Sequence, residues 1–501
     1  MRVRSVRTMA IVAPLSLVWL AAQEARAQTP AVTPAETPAQ APSPAPAPGT
    51  AAPASQPAEE PGFLTNLWTR STLLGDAGGL RTKLANVGLS FGIQDTNEVF
   101  GNVTGGVKTG AAYDGVTLMS VGLDTQPAFG WEGGTFNVSA WNIRGRNLST
   151  DNLLVLQTVS GIEAQPTTRF WEIWYQQAFL NNHADIKVGQ QSLDQEFITS
   201  QGSSLFLNTV MGWPMVPTAD LYAGGPAYPL SSLGARLRGR PTDNLTILGG
   251  VFQDNPPGGP FNNDSQLLGS TRWGGNFNLR TGALFIAEVQ YTINQPSNGQ
   301  VVTPDAQPGG LPGTYKLGFW YDTAPFPSPQ YDNTGLSLAN PASTGIPAQI
   351  QHNFSIYGVV DQQLWLPKDG PQAVGFFARL MGAPGNRNLV DFSVNSGLTL
   401  KAPLPTRDND TFGVGFGFAK VSGSVAAFDQ ATNFFTGSFV PIRSSETFVE
   451  VTYQIQATPW WTVQPDFQYF FTPGGGIVNP SNPSQSVPNA AVFGVRSVVT
   501  F

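Results

Sequence analysis

Three arginines alternate with leucine and glycine in the stretch R-L-R-G-R at residues 236–240. In an extended strand, side chains at every second position lie on one face, so the three guanidinium groups are predicted to share a face. Guanidinium groups donate hydrogen bonds to carboxylates and to solute hydroxyls. The stretch therefore predicts either a row of charges paired with acidic side chains of other strands, or part of a polar binding surface.

The sequence excludes several kinds of catalytic and metal site. It contains no cysteine, which excludes disulfides, thiolate catalysis and cysteine-ligated metals, and its only histidines are His183 and His352. Both histidines fall in predicted turns or loops, so no Ser–His dyad is expected. The Pro/Gly run at residues 256–260 lacks the strand–loop–helix context of a phosphate loop. We predict no enzyme activity, no cofactor and no metal.

The chain carries few charges for its length. Asp, Glu, Lys and Arg make up 12% of 501 residues and the net charge is −7; soluble proteins have a charged share of roughly 25%. Hydrophobic residues make up only 41%, and no segment beyond the N-terminus approaches the ~18 apolar residues of a membrane helix. Scattered basic residues and an acidic balance argue against a nucleic acid partner.

The N-terminus predicts export from the cytoplasm. Three arginines precede the apolar stretch 9–22, and A-R-A at residues 25–27 has the small-x-small pattern of a cleavage site, so residues 1–27 are predicted to be a signal peptide. The apolar stretch is shorter than the ~20 residues of a spanning helix, which disfavours an uncleaved anchor. Residues 28–61 are Ala/Pro-rich and predict an extended spacer, either a simple tail or a segment that reaches the cell wall.

From about residue 87 onward, segments of about ten residues alternate between apolar and polar side chains, with Gly, Pro, Asn and Asp between them. About sixteen such segments are predicted, at residues 87–98, 115–125, 134–144, 169–181, 184–191, 232–240, 244–253, 283–293, 314–322, 353–364, 373–382, 389–401, 411–420, 446–457, 461–471 and 490–501. Short connections alternate with long ones, as in an outer-membrane barrel. Two connections fit this rule poorly: 294–313 is too long and 383–388 too short.

Alternation alone does not distinguish a membrane barrel from a soluble sandwich, because both have one polar face. Aromatic pairs at strand ends, 460–461 and 470–471, suggest interfacial girdles. The final segment places Phe493, Val495 and Phe501 on one face, which lipid would cover. We therefore predict an all-β, transmembrane antiparallel β-barrel of about sixteen strands in the bacterial outer membrane, whose last strand pairs with the first. The barrel-assembly machinery is expected to engage that last strand, which ends in Phe501.

Several stretches resemble the carbohydrate-selective porins of the OprB type, over about residues 63–501. They are L-G-D-A-G-G-L-R-T-K-L at 74–84, W-E-I-W-Y-Q-Q at 171–177, K-V-G-Q at 187–190, L-G-F-W-Y-D at 317–322, and E-V-T-Y-Q followed by T-P-W at 450–460. The chain departs from the family at Ala77, where tryptophan is usual, and in its long spacer. The resemblance implies a monomer-size barrel that passes small sugars by diffusion, and it leaves open a homotrimer.

A pore for sugars needs lining groups that hydrogen-bond hydroxyls or stack on the apolar faces of the ring. The candidates are charged or aromatic residues on the polar parity of a predicted strand: Glu98, Asp124, Trp141, Glu172, Trp174, Lys187, Arg236, Arg238, Glu288, Lys316, Trp320, Asp322, Asp361, Arg379, Glu450 and Asp466. For each of them the alternative is a structural charge paired across the barrel wall. Arg238→Ala and Trp320→Ala are predicted to weaken binding of sugar in the pore.

Two segments outside the strands are singled out. The third long loop, residues 192–231, contains the patch M-G-W-P-M at 211–215 and either folds inward to narrow the pore, as in general porins, or packs over the rim. Residues 76–87 predict a short helix capped by Asp76 at the periplasmic mouth, with either a gating role or the role of an ordinary turn before the barrel. The helical periplasmic segment as a whole is placed at residues 62–86.

Three other functions remain open from the sequence. They are a general porin without sugar preference, a structural barrel that contacts the cell wall through the spacer, and a barrel-embedded lipid hydrolase. The hydrolase would need a lipid-facing Ser–His pair, which neither histidine provides.

Overall fold

The computed structural model describes residues 66–257, 273–275, 279–295, 310–367 and 370–501. Sixteen strands form one closed barrel in which each strand is antiparallel to its neighbours, and two short strands form a separate hairpin. The barrel strands are β1 Leu89–Thr104, β2 Gly110–Asp124, β3 Gly134–Gly145, β4 Thr167–Phe179, β5 Ala184–Gln191, β6 Ser232–Thr242, β7 Leu245–Gln253, β8 Ala283–Ile293, β9 Gly313–Asp332, β10 Pro347–Trp365, β11 Ala373–Gly382, β12 Val390–Lys401, β13 Thr411–Val421, β14 Ser445–Thr458, β15 Trp461–Phe471 and β18 Ala490–Thr500. The hairpin strands are β16 Val478–Asn479 and β17 Asn482–Ser486.

Helices in this barrel are few and short. They are α1 Leu80–Ala85, α2 Thr125–Phe129, α3 Thr209–Gly212, α4 Met215–Asp220, α5 Gly423–Thr436 and α6 Pro473–Gly476, with single turns at Ser149–Leu153, Leu193–Gln195, Ser203–Leu205 and Tyr222–Gly224. Within the described ranges, no helix has both the length and the apolar character needed to cross a bilayer.

The barrel closes where the last strand meets the first. β18 runs antiparallel to β1, with Ser497 opposite Asn97 and Arg496 opposite Glu98. Each of the sixteen predicted segments overlaps one barrel strand, so the predicted strand number and the antiparallel closed barrel are confirmed.

Most outward side chains of the barrel are apolar, and most inward ones are polar. Leu317, Ile356 and Phe493 are 65%, 61% and 54% exposed on the outside of their strands. On β13, Val414 and Phe416 point outward, whereas Gly415 between them faces inward. This period of two is what a strand needs to present one side chain to lipid and the next to the lumen.

Connections at the two ends of the barrel differ in length. Turns of a few residues, such as 180–183, 243–244 and 459–460, lie at the end where β1 begins. The opposite end carries the long loops, including 146–166 and 192–231.

The N-terminal segment packs beside the closing strands at the short-turn end. Arg81 donates a hydrogen bond to the carbonyl of Phe91 at 2.8 Å and another to the carbonyl of Phe501. The helix is shorter than predicted, and Asp76 is not its N-cap residue: Gly79 is, without a side-chain cap. Asp76 instead accepts from the backbone N–H of Thr82 at 2.9 Å, within the first turn.

Two further expectations are wrong. Phe470 is not part of an outer girdle; it faces the interior, fully buried, with its ring centroid 5.8 Å from that of Phe448. His352 lies within β10 rather than in a loop, at the register shift between Gln351 and Asn353. The predicted signal peptide and spacer, residues 1–61, lie outside the described residues.

Candidate pore and inward loop

Residues 192–231, here called the inward loop, connect β5 to β6 and run through the interior of the barrel. Phe206, Val210 and Met211 of this loop are at most 1% exposed and belong to a large buried apolar cluster. The loop is therefore not packed over the rim. The inner wall holds it at three places, described in turn.

The first attachment joins the start of the inward loop to β4, β5 and β6. Glu172 on β4 accepts a hydrogen bond from the backbone N–H of Ser192 at 2.9 Å. Glu196 of the loop forms ion pairs with Lys187 on β5 and with Arg236 on β6, the second with Nε to Oε2 at 2.6 Å. One loop carboxylate thus joins two neighbouring strands of the wall.

The ion pairs set the charge state of this attachment. Burial alone would raise the pKa of Glu196, but the positive charges of Lys187 and Arg236 lower the pKa to about 2. On the wall, Asp185 pairs with Arg236 and also with Nε of Arg238, at 2.6 Å. Arg236 and Arg238 of the arginine row predicted from the sequence are thus paired with acidic groups.

The second attachment joins the inward loop to β8, β9, β10 and β11. Glu288 accepts from the backbone N–H of Ile198 at 2.8 Å and from the hydroxyl of Tyr357 at 3.0 Å. Lys316 donates to the carbonyl oxygen of Thr199 at 2.7 Å. Charged wall groups here bond mainly to loop backbone, so they fix the path of the chain more than the identity of its side chains.

The same attachment continues along β10 and β11. Asp361 accepts from the hydroxyl of Ser200 at 2.7 Å and from the backbone N–H of Gly202 at 3.0 Å. Arg379 is 1% exposed and donates to the carbonyl oxygens of residues 210–212 at 2.8, 2.6 and 3.1 Å. A single guanidinium group therefore satisfies three successive backbone acceptors.

The third attachment joins the inward loop to β14 and β15. Glu450 accepts from the backbone N–H groups of Leu207 and Asn208, the latter at 3.2 Å. Gln464 donates its amide N–H to the carbonyl of Leu205 at 2.7 Å. The loop thus spans the lumen from β5 on one side to β15 on the other.

The preceding long loop, 146–166, also enters the barrel and supports the inward loop. Glu446 on β14 accepts from the backbone N–H of Gln157 at 2.7 Å. The backbone N–H of Gly161 donates to the carbonyl of Leu207 at 2.8 Å. The two loops therefore form one connected layer inside the barrel.

Three aromatic side chains pack together inside the barrel near the start of this layer. The ring of Trp141 lies 4.6 Å from that of Trp171 and 5.1 Å from that of Tyr228, between ring centroids. All three are buried. Trp171 and Glu172 are successive residues that are both buried, because the register between β3 and β4 shifts between Val138 and Ala140.

These features, an outer surface that suits lipid and a polar interior narrowed by a loop, are found in porins. A family model described as "Carbohydrate-selective porin, OprB family" matches residues 108–501, most of the chain. The chain belongs to this family. The family, the barrel fold, the outer-membrane location and the broad function of a carbohydrate porin are thereby confirmed.

Individual relatives of this porin match it over most of their length. Porin B of Pseudomonas aeruginosa is 26% identical over 451 residues, covering 86% of this chain and 91% of that protein. The putative porin QuiX of Acinetobacter baylyi is 24% identical over 427 residues, covering 81% of this chain and 89% of that protein. The high-pH structure of Pseudomonas putida OprB superimposes with a TM-score of 0.74 at 24% identity, covering 87% of this chain and all of that one, which supports the fold. The relatives are porins, which are channels rather than enzymes.

The sixteen predicted lining residues of the porin fall into two groups. Those that form hydrogen bonds or ion pairs with the inward loop are Glu172, Lys187, Arg236, Glu288, Lys316, Asp361, Arg379 and Glu450. The others are Glu98, Asp124, Trp141, Trp174, Arg238, Trp320, Asp322 and Asp466, of which Trp141 packs against Tyr228 of the loop.

The second group is mixed. Glu98 pairs with Arg496 across the β1–β18 closure. Asp124 lies at the end of β2, where it caps α2 by accepting from the backbone N–H of Gln126 at 2.9 Å. Trp320 is 1% exposed within the apolar cluster, so protein side chains cover its ring. The expected effect of Trp320→Ala on sugar binding stays a prediction.

The remaining candidates sit at different depths in the wall. Asp322 is fully buried and accepts from the backbone N–H of Ala324 at 2.9 Å, and Asp466 accepts from the amide of Gln468 at 3.0 Å. Trp174 is only half-buried.

Several interior residues were not among the predicted ones. Asp185, Glu446 and Arg496 have the inward parity of their strands, so the same rule could have found them. Trp171 could not be found this way, since the register shift places it on the inner side against the simple period of two. Glu196 lies in the inward loop, where strand parity carries no information.

Proposed function

We propose that this porin passes small neutral carbohydrates, of the size of a monosaccharide such as glucose, across the outer membrane by diffusion. Support comes from the charges of the inner wall, many of which are already neutralised. Ion pairs join Glu196 to Lys187 and Arg236, and Nζ of Lys316 lies 3.9 Å from Oε1 of Glu288. A lumen with paired charges offers hydrogen bonds without a strong net field, which suits hydroxyl-rich neutral solutes better than ions.

The observation that carries the proposal is the fixed inward loop. Eight of the sixteen charged or aromatic candidates bond to it rather than pointing into free space. We propose that this loop sets the narrowest cross-section of the lumen. A constriction held by the wall keeps its width, and selection by size follows from that rigidity.

We propose Trp174 and Arg238 as groups that a sugar contacts. Trp174 is half-buried, and Nζ of Lys187 lies 4.4 Å from its ring centroid. The Arg238 side chain is 17% exposed and keeps donors beyond its bond to Asp185. An aromatic face and guanidinium donors are the groups that bind the two surfaces of a pyranose ring, its C–H face and its hydroxyl edge.

Planar-bilayer recording of the purified porin, with vesicle-swelling assays, tests the proposal. We expect glucose to reduce the ionic current in a concentration-dependent manner, and to enter vesicles faster than the anion gluconate of similar size. Trp174→Ala should weaken the block by glucose several-fold, whereas Trp365→Ala, on the exposed outer end of β10, should leave it unchanged. Equal entry of glucose and gluconate with no block would favour a general porin instead.

A further inference from the structure

The ring of Trp174 on β4, proposed above as a sugar contact, is held by two side chains of the inner wall. Its indole N–H donates a hydrogen bond to Oε2 of Glu172 at 3.3 Å. Nζ of Lys187 on β5 lies 4.4 Å from the ring centroid, over one face of the ring. The indole is therefore held both at its edge and on one face.

The strands place these three side chains next to each other. Glu172 and Trp174 are two residues apart on β4, so their side chains share the inward face. On β5, Gly189 lies opposite Trp174, and an added Cβ there would lie only 3.0 Å from Cβ of Trp174. Lys187 is two residues from this glycine and reaches the indole ring from the neighbouring strand.

Both neighbours of the ring are bound in turn to the inward loop. The second carboxylate oxygen of Glu172, Oε1, accepts from the backbone N–H of Ser192, the first residue of the loop, at 2.9 Å. Lys187 forms an ion pair with Glu196, four residues further along the loop. The two groups that hold the indole therefore also hold the start of the loop.

The ring is more exposed than the groups that hold it. Glu172 and Lys187 are 8% and 9% exposed, whereas Trp174 is half-buried. A partly exposed aromatic side chain can populate several rotamers, but stacking on a sugar requires one orientation of the ring. Contacts that fix this orientation before the sugar arrives reduce the entropy lost on binding.

We propose that Glu172 is a positioning residue for sugar binding, which acts through Trp174 and couples the indole ring to the inward loop. One oxygen of its carboxylate accepts from the loop and the other from the indole, so a displacement of the loop start would release the ring. The inference rests on the proposed function, because it requires that the sugar contacts Trp174. It adds that the loop controls how strongly the sugar binds, besides the width of the pore.

A double-mutant cycle, with glucose block in planar bilayers as the readout, tests the positioning role. Trp174→Phe keeps an aromatic ring but removes the indole N–H, and Glu172→Gln keeps the side-chain shape and one oxygen acceptor. Each should raise the glucose concentration that blocks half of the current several-fold, and the double variant should raise it no further. The conductance without sugar should stay close to wild type, because the glutamine oxygen can still accept from Ser192.

Two results of the cycle would overturn the positioning role: wild-type block in Glu172→Gln, or single effects that multiply in the double variant. Unchanged block in Trp174→Ala would instead show that the proposed sugar contact itself is wrong. The matched control is Trp131→Phe, whose indole N–H donates to Oε1 of Gln177 at 2.8 Å in an exposed turn. This control should leave the block unchanged.

A second measurement tests the coupling to the loop. Glu196 forms ion pairs with Lys187 and Arg236 rather than with the indole, so Glu196→Gln loosens the loop start without removing a contact of the ring with glutamate. It should raise the half-blocking glucose concentration several-fold in the otherwise wild-type porin and leave it unchanged in Trp174→Ala. The same increase in both backgrounds would mean that the loop acts on the sugar without Trp174, and would rule the coupling out.

Discussion

The inward loop meets two different kinds of wall inside the barrel. Along β8 to β11 the wall presents charged groups, such as Glu288 and Arg379, that bond to the backbone of the loop. Along β13 the inward positions include Gly413, Gly415 and Gly417, and side chains of the inward loop lie directly against the first two. We refer to these as the charged wall and the glycine wall.

The two walls stabilise the inward loop in different ways. An added Cβ at Gly415 would lie 2.8 Å from the ring of Phe206 and 2.9 Å from Cε of Met211, so the glycine wall makes room for large apolar side chains. Apolar burial stabilises without fixing direction, whereas hydrogen bonds from charged groups fix which backbone atom lies where. The comparison indicates that the glycine wall gives the loop its burial and the charged wall its path.

The largest expected effect comes from removing the central group of the charged wall. Arg379→Met deprives three buried carbonyls of their donor, and each unsatisfied acceptor costs about 1–3 kcal/mol. The inward loop should loosen, so that single-channel conductance rises and the open current becomes noisier. The matched control is Arg387→Met, whose guanidinium also donates to two carbonyls but on the exposed rim; wild-type-like recordings from both variants would refute the role of the charged wall.

A somewhat smaller effect is expected from filling the glycine wall. Gly415→Leu introduces a side chain where Phe206 and Met211 already lie, and such overpacking costs about 1–3 kcal/mol. The midpoint of urea unfolding in lipid vesicles should fall, and conductance should change as the loop is displaced.

The control for this substitution introduces the same leucine side chain at an outward position of the barrel. Gly249 on β7 has no atom closer than the carbonyl oxygen of Ile286 at 4.0 Å from an added Cβ. Gly249→Leu adds apolar surface toward lipid and should leave both the unfolding midpoint and the conductance unchanged. Equal destabilisation by the two leucines would mean that β13 is sensitive to glycine loss for backbone reasons rather than for its contact with the loop.

The sequence predicted both walls as strands, because lipid on one side and the lumen on the other impose a period of two on every spanning segment. It did not predict what the inward residues touch. Strand parity correctly predicted that Glu450 and Lys316 point into the lumen. It could not predict that they hydrogen-bond to the backbone of the inward loop, because that depends on the course of the loop.

Two other residues show where periodicity fails. A register shift between β3 and β4 brings Trp171 inside. Phe470 has inward parity, yet its place at a strand end suggested a girdle; the contact with Phe448 requires the neighbouring strand to be known.

A pH titration extends the comparison to the first attachment of the inward loop, where Glu196 joins it to β5 and β6. The folded-state pKa of Glu196 is about 2, below its ordinary value of 4.5, because Lys187 and Arg236 favour the charged form over the effect of burial. Because this pKa is lowered, the ionised Glu196 carboxylate stabilises the folded state. That stabilisation is complete above about pH 4.5 and is lost as the pH falls through about 2. Open-channel noise should therefore be constant at higher pH and increase within that acidic range.

Substitution at the same carboxylate tests the assignment. Glu196→Gln removes the titrating group, so the noise should be raised at every pH and should lose its dependence in the acidic range. Glu132→Gln, in an exposed turn at the other end of the barrel, should keep the wild-type profile. An acidic transition that persists in Glu196→Gln would assign it to another carboxylate.

The smallest effect is expected outside the charged wall, at Arg238 on β6. Its partner Asp185 is also paired with Arg236, so Arg238→Ala leaves that carboxylate compensated and should cost no more than about 1 kcal/mol of stability. If Arg238 instead contacts the solute, the glucose concentration that blocks half of the current should be several-fold higher in Arg238→Ala than in wild type. The conductance without sugar should stay close to the wild-type value. Lys108→Ala, between β1 and β2 at the end of the barrel that carries the long loops, is the charge-matched control. Unchanged block in Arg238→Ala would assign this arginine, like its neighbour Arg236, to holding the wall together.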